Sequence, residues 1–194
     1  INLLLSGTRD LTLNIPTANP NNFGDPIVAL NTLDGWSTVA PWTVPFSVEP
    51  ATTSVVAGQG FRWFEVALTG PGGAVTRVVR ELVANTDYVV AKTTSDPKVV
   101  AIVPLKPLKQ LTSYMAVVTN QASDANGNNA TPDQTYFLTQ RTSPLCTGGV
   151  STDPLLPNAT ACALEPWRQL TNAQEAAAAS AGVDRSKIVV SFVA

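Results

Sequence analysis

The chain has 194 residues, 44% of them apolar and only 13% charged, against the roughly 25% charged residues usual in soluble proteins, and its net charge is −2. That length suffices for one well-filled core, or one domain with a sizeable appendage, and the charge balance gives no electrostatic reason to expect nucleic acid or an anionic membrane as partner. Histidine is absent, which removes Ser-His-Asp and Cys-His catalysis and the usual zinc ligand.

The opening INLLLSG lacks the charged and long apolar regions of a signal peptide, so the chain reads as a mature or excised segment. From Asp25 to Leu33 (DPIVALNTL) a capping Asp precedes Pro26, and Ile27, Leu30 and Leu33 fall at helical spacing. This predicts one or two helical turns ending at Gly35. Strands dominate the middle of the chain. Thr43 to Val48 alternates Val44, Phe46 and Val48 against Thr43, Pro45 and Ser47, and Pro45 marks an edge or outer strand. Phe61 to Leu68 (FRWFEVAL) sets Phe64, Val66 and Leu68 on one side before the turn TGPGG at 69–73. Val75 to Leu82, Asp87 to Lys92, Lys98 to Val103 and Ser113 to Thr119 continue the series. Short strands separated by turn signals predict a mainly β protein, a β-sandwich. The longest apolar run, Val99 to Leu105, contains Pro104 and is far short of the roughly 20 residues that span a bilayer, so no transmembrane segment is expected.

Residues 123–129 read SDANGNN and place Asp124, Asn126 and Asn128 on alternate positions, as the start of an EF-hand loop does. An EF-hand needs Gly at its sixth position and Glu at its twelfth, whereas Gly127 is fourth and Thr135 twelfth. A turn is the simpler reading, because Asn-Gly is the strongest short hairpin signal and Asp and Asn bond their own backbone. Calcium on Asp124, Asn126 and Asn128 is the other reading, and the only cofactor the sequence suggests.

Cys146 and Cys162 bracket CTGGVSTDPLLPNATAC, a Gly-, Pro- and Ser-rich stretch that reads as a long loop. A disulfide would close it, worth about 3 kcal/mol by loop-closure entropy, and would favour an oxidising compartment. Two separate buried thiols are the alternative. From Leu164 to Gly182 the sequence is helical: Thr171 and Gln174 fit a capping box after a short turn at 164–170, the Ala run has high propensity, and Gly182 stops it. KIVVSFV at 187–193 is a strand that either rejoins the sandwich or begins something beyond it.

No catalytic residues emerge. The nearest approach to G-x-S-x-G, GVSTD at 149–153, lacks the second Gly and lies between the cysteines. Asp124 and Asp133 have nothing to place them across a cleft. Trp36, Trp42, Trp63 and Trp167 each sit in or beside a predicted element, where packing explains them more simply than a ligand face does. NAT at 129–131 and at 158–160 matches glycosylation acceptors, which matter only in a host that glycosylates.

The run at 99–140 resembles the closing half of bacterial Ig-like domains, with Pro107, Leu108, Leu111, Tyr114, Asp124, Gly127 and Asn128 carrying the pattern and a final strand expected after the Asn-rich turn. A closer resemblance covers nearly the whole chain. LTLNIP at 11–16, DPIVALNTLDGWSTVAPWTVPFS at 25–47, VVREL at 78–82, PLKPL at 104–108 and LEPWRQLTNAQEAAAASAGVDRSKIVVSF at 164–192 resemble the N-terminal domain of bacterial extracellular, virulence-factor-type lipases. That resemblance implies a non-catalytic Ig-like module ahead of an α/β-hydrolase domain in a secreted or lipoprotein-anchored lipase or phospholipase. The implied division is an N-terminal strand and short helix packed on the sandwich at 1–33, an Ig-like β-sandwich at 34–142, and at 143–194 an appended disulfide loop, C-terminal helix and final strand leading to a missing catalytic domain. The implied partners are that downstream domain and lipid or a cell-surface ligand. A free-standing Ig-like adhesion or ligand-binding module is the alternative.

Overall fold

The fold follows from which strand faces are apolar, as seen in a computed structural model that describes residues 12–33 and 35–194. Strand β2 (Phe61–Leu68) is buried on both faces: Phe61 and Trp63 point one way, Phe64 and Val66 the other. Strand β6 (Ser113–Thr119) repeats this, with Tyr114, Ala116 and Val118 on one side and Met115 and Val117 on the other. Strands with two apolar faces belong in the middle of a layered structure. They are the central pair of an antiparallel four-stranded sheet ordered β3-β2-β6-β9, in which β3 spans Val75–Glu81 and β9 spans Ile188–Val193.

Against one face lies a three-stranded sheet in the order β1-β5-β4, made of Trp42–Pro45, Val99–Pro104 and Tyr88–Lys92. Trp63, Tyr88, Ile102, Tyr114 and Ala116 fill the space between the sheets, joined by Val44, Phe61, Val100 and Val118 further along. The mainly β sandwich expected from the strand series is thus present, with nine strands among the described residues. Strand β1 is an edge, as Pro45 requires.

The opposite face of the four-stranded sheet is covered by a long helix. Phe64, Val66, Met115, Val117 and Ile188 pack there against Ala177, Ala178 and Val183. This helix, α3, runs Asn158–Ser180, and two shorter helices are α1 (Pro26–Leu30) and α2 (Gln134–Thr139). Helix α1 starts as expected, Asp25 Oδ1 accepting from Ile27 N–H at 2.9 Å with Pro26 in the first turn, but it ends at Leu30 with Asn31 as its C-cap, short of Gly35.

Three further expectations are corrected. The residues after the Asn-rich turn form α2 rather than a final strand: Asp133 caps it by accepting from Tyr136 N–H at 2.8 Å, and the place of a last strand is taken by β9. Thr171 and Gln174 are not a helix start, because α3 begins at Asn158, immediately after Pro157, and runs through Pro166. The segment between the cysteines is only partly loop, since a small hairpin, β7 (Cys146–Thr147) with β8 (Val150–Ser151), precedes the helix and Cys162 is helical. Gly182 does stop α3, at φ +83°, with Val183 N–H reaching back to Ala178 at 3.0 Å. Of the strand expected within 1–33, residues 1–11 lie outside the described residues. Next to them, Leu13 N–H donates to Leu33 O at 2.8 Å, and Asn31 exchanges two hydrogen bonds with the Ile15 backbone.

Candidate functional site

The Asn-rich loop is built around one carboxylate. Asp124 Oδ1 accepts from the N–H groups of Asn126 and Asn128, each at 2.8 Å, and Oδ2 accepts from the Asn128 side-chain amide at 2.8 Å. These donors, the Asn128 side chain foremost, hold the Asp124 carboxyl below its ordinary range. Gly127 supplies the positive φ of +83° that lets the chain reverse. Of the three residues singled out for calcium, Asp124 and Asn128 bond each other through their side chains, and Asn126 meets the carboxylate through its backbone. The loop borders a groove of about 470 Å³, whose other wall is Val44, Phe46 and Val190.

Cys146 and Cys162 are joined by a disulfide with their Cα atoms 4.8 Å apart. It pins the β7–β8 hairpin to the first turns of α3. The four tryptophans divide. Trp63 is fully buried, with Trp42 at 5.0 Å and Tyr88 at 5.7 Å between ring centroids, both edge-on. Trp36 and Trp167 remain 40% and 37% exposed.

Three polar clusters escape a reading of the sequence alone. The first lies under α3. Glu175, 1% exposed, accepts from Gln140 Nε2 at 2.7 Å, Tyr136 Oη at 3.1 Å and Arg185 Nε at 2.8 Å. Tyr136 Oη also lies 2.7 Å from Ser191 Oγ, which donates to Gln174 at 2.8 Å. Burial, then the Glu175 charge, pushes the Tyr136 phenol far above its ordinary range and keeps it a neutral donor. Glu175 and Arg185 also line a cleft of about 710 Å³, with Phe137 and Lys187 on its wall. Here α3, α2 and β9 are bolted together.

The second is a clamp. Arg168 meets Glu165 through Nη2 at 2.7 Å and Nε at 2.9 Å while donating to the carbonyls of Arg141 and Thr142, and Glu165 also accepts from Leu145 N–H at 2.7 Å. The Arg168 guanidinium above all, with help from the Leu145 N–H, lowers the Glu165 carboxyl to about 2. Asn172 completes it, donating to the carbonyls of Thr139 and Arg141 at the end of α2. Glu165, Arg168, Asn172, Glu175 and Arg185 of the tail motif therefore fasten α3 to the segment 134–145 and to the turn at 185–187 that leads into β9.

The third joins the two sheets at one end of the sandwich. An ion chain runs Lys106, Asp87, Arg80, Glu65, Lys109, with links of 3.4, 3.1, 3.0 and 2.9 Å. Beside it the Tyr114 hydroxyl accepts from Lys109 N–H at 3.0 Å. The donors Lys109 and Arg80 hold the Glu65 carboxyl below its ordinary range, and Val83 N–H with Arg80 does the same for Asp87. One signal in the sequence could have found this cluster. In a strand of period two, Glu65 lies on the face of Phe61 and Trp63, and a charge in line with buried aromatics must have partners.

No helix among the described residues is long and apolar enough to cross a membrane. No curated protein matches the sequence. A family model described as bacterial virulence factor lipase N-terminal matches residues 3–192, nearly the whole chain.

Proposed function

The chain belongs to the bacterial virulence factor lipase N-terminal family, and from that premise we propose that it is a non-catalytic N-terminal module of a secreted or surface-anchored bacterial lipase or phospholipase, holding or shielding a downstream α/β-hydrolase domain. The observation that carries the reading is the extent of the match, which takes in the sandwich, the disulfide segment, α3 and β9 together. The geometry is consistent with a scaffold. The buried carboxylate of Glu175 and the half-buried one of Glu165 accept from donors that join one element to another, which is how polar groups specify a rigid arrangement.

We assign the sandwich to the Ig-like type. Its two sheets, β1-β5-β4 and β3-β2-β6-β9, follow the B-E-D and C′-C-F-G order of such folds. Trp63 on β2 takes the place of the buried Trp of strand C. Tyr114, at the start of β6 and bonded back to Lys109 N–H, is a tyrosine corner. Two residues further on, Ala116 stands where an antibody domain has its second cysteine, and the disulfide is elsewhere.

A role in positioning fits two features. Phe23, Leu30, Leu33, Trp36 and Val39, all within residues 23–39, are exposed, and such apolar surface is what associating domains cover. Ala194 is fixed by a pair of hydrogen bonds to Tyr114, at 2.8 and 3.0 Å, so chain continuing from it would leave a rigid sheet rather than a loose tail. The decisive test is the gene beyond Ala194. A nucleophile-elbow serine followed by Asp and His is expected there, and a stop codon or further Ig repeats would sink the lipase reading. On the purified chain, hydrolysis of short- and long-chain esters is expected to be absent; turnover abolished by one substitution would overturn the non-catalytic assignment.

A further inference from the structure

Leu111 is placed where neither its backbone conformation nor the burial of its side chain favours a leucine. It sits at φ +51°, a region Leu rarely adopts, and its side chain is wholly exposed. Asn85, the other non-glycine residue with positive φ among those described, is of a type that tolerates it. The two lie in the connections β3–β4 and β5–β6, which the ion chain ties together. The same connections expose Val83 and Leu105.

The charges around Leu111 are not balanced at the surface. Lys106, Lys109 and Arg80 are 63%, 59% and 43% exposed, whereas their partners Asp87 and Glu65 are 17% and 10% exposed. The two carboxylates are sunk and the three cations stand outward, so this surface presents positive charge around apolar tips. The net charge of −2 conceals that arrangement. We propose that this part of the sandwich is a membrane-contact surface for anionic phospholipid, with Leu111 entering the acyl boundary and Lys106, Lys109 and Arg80 at the level of the phosphates. Strain at an exposed apolar tip is retained because the tip acts on something outside the fold. The proposal deepens the module reading, on which it rests for a reason to approach lipid. Ala194, paired with Tyr114 just after Leu111, would place a downstream domain beside the contact.

The test is sedimentation of the chain with vesicles of phosphatidylglycerol and phosphatidylcholine, compared with phosphatidylcholine alone. Binding is expected on the anionic vesicles only and should fall with added salt. Leu111→Ser should weaken partitioning at least about tenfold, from the loss of one buried leucine, and Lys106→Ala about fivefold. Leu111→Gly separates fold from function: it relieves the backbone strain and should raise Tm while lowering vesicle binding. Wild-type protein left in the supernatant, or Leu111→Ser binding like wild type, overturns the proposal. So does salt-insensitive binding equal on both vesicle types, which would point to the apolar surface near Phe23. These outcomes do not depend on the sequence beyond residue 194. Failure of vesicle binding leaves the lipase-module reading standing, and a missing hydrolase sinks that reading while leaving the surface.

Discussion

The hydroxyl of Tyr114 and the carboxylate of Glu165 show how single atoms hold this molecule. Tyr114 is 3% exposed and its oxygen is the acceptor for Lys109 N–H. Tyr114→Phe keeps the ring and removes the acceptor, so it is expected to cost about 1–2 kcal/mol in urea unfolding with no change in the far-ultraviolet spectrum of the folded state. Glu165 titrates near 2 instead of its ordinary 4.5, so the stability it contributes is complete above about 4.5 and is lost as pH falls through about 2. Wild type and Glu165→Gln should therefore differ in Tm at neutral pH and converge as pH approaches 2. Asp124 was legible as a turn former because Asp-x-Asn-Gly states its own local bonds. Glu165 was legible only as half of an i,i+3 pair with Arg168, since its bond from Leu145 N–H is set by the way a loop folds back over α3.

Elements were legible where their signals are local. The bounds of β2 and β6 match the strand-like runs Phe61–Leu68 and Ser113–Thr119, and Gly182 ends α3 as its φ allows. The start of α3 was hidden because Pro166 reads as a first-turn residue and the Pro157–Asn158 junction carries no side-chain cap. Helix α2 was hidden because QTYFLT is as fit for a strand as for a helix, and the Asp133 cap together with the contacts of Tyr136 and Gln140 with Glu175 decides it. The alanine run has a role beyond propensity. Ala177 and Ala178 are 6% and 0% exposed, and their small size lets α3 approach Phe64 and Met115 closely. Ala178→Leu should cost about 1–3 kcal/mol by overpacking, read by thermal melting, whereas the exposed Ala176→Leu should be close to neutral. Reducing Cys146–Cys162 is expected to cost about 3 kcal/mol. The loss should appear first as faster amide exchange in the β7–β8 hairpin and the first turns of α3.

At the scale of the molecule, the sandwich and the helix layer share one sheet, so neither is separable. Strand β9 supplies Ile188 to the core under α3 and Val190 and Phe192 to the space between the sheets. A chain ending at Asp184 is expected to lack cooperative unfolding and near-ultraviolet signal, whereas the full chain should unfold in a single transition. A soluble, two-state truncation would show that the helix layer and β9 are dispensable. The pairing of β9 with β6 brings Val190 opposite Val118, a contact between strands far apart in the chain. Such non-local pairing is slow and cannot begin until both strands are available. During synthesis the four-stranded sheet therefore stays incomplete until β9 has left the ribosome. A sheet closed by so late a strand folds late, and a chain destined for export would remain threadable while that strand is still being made.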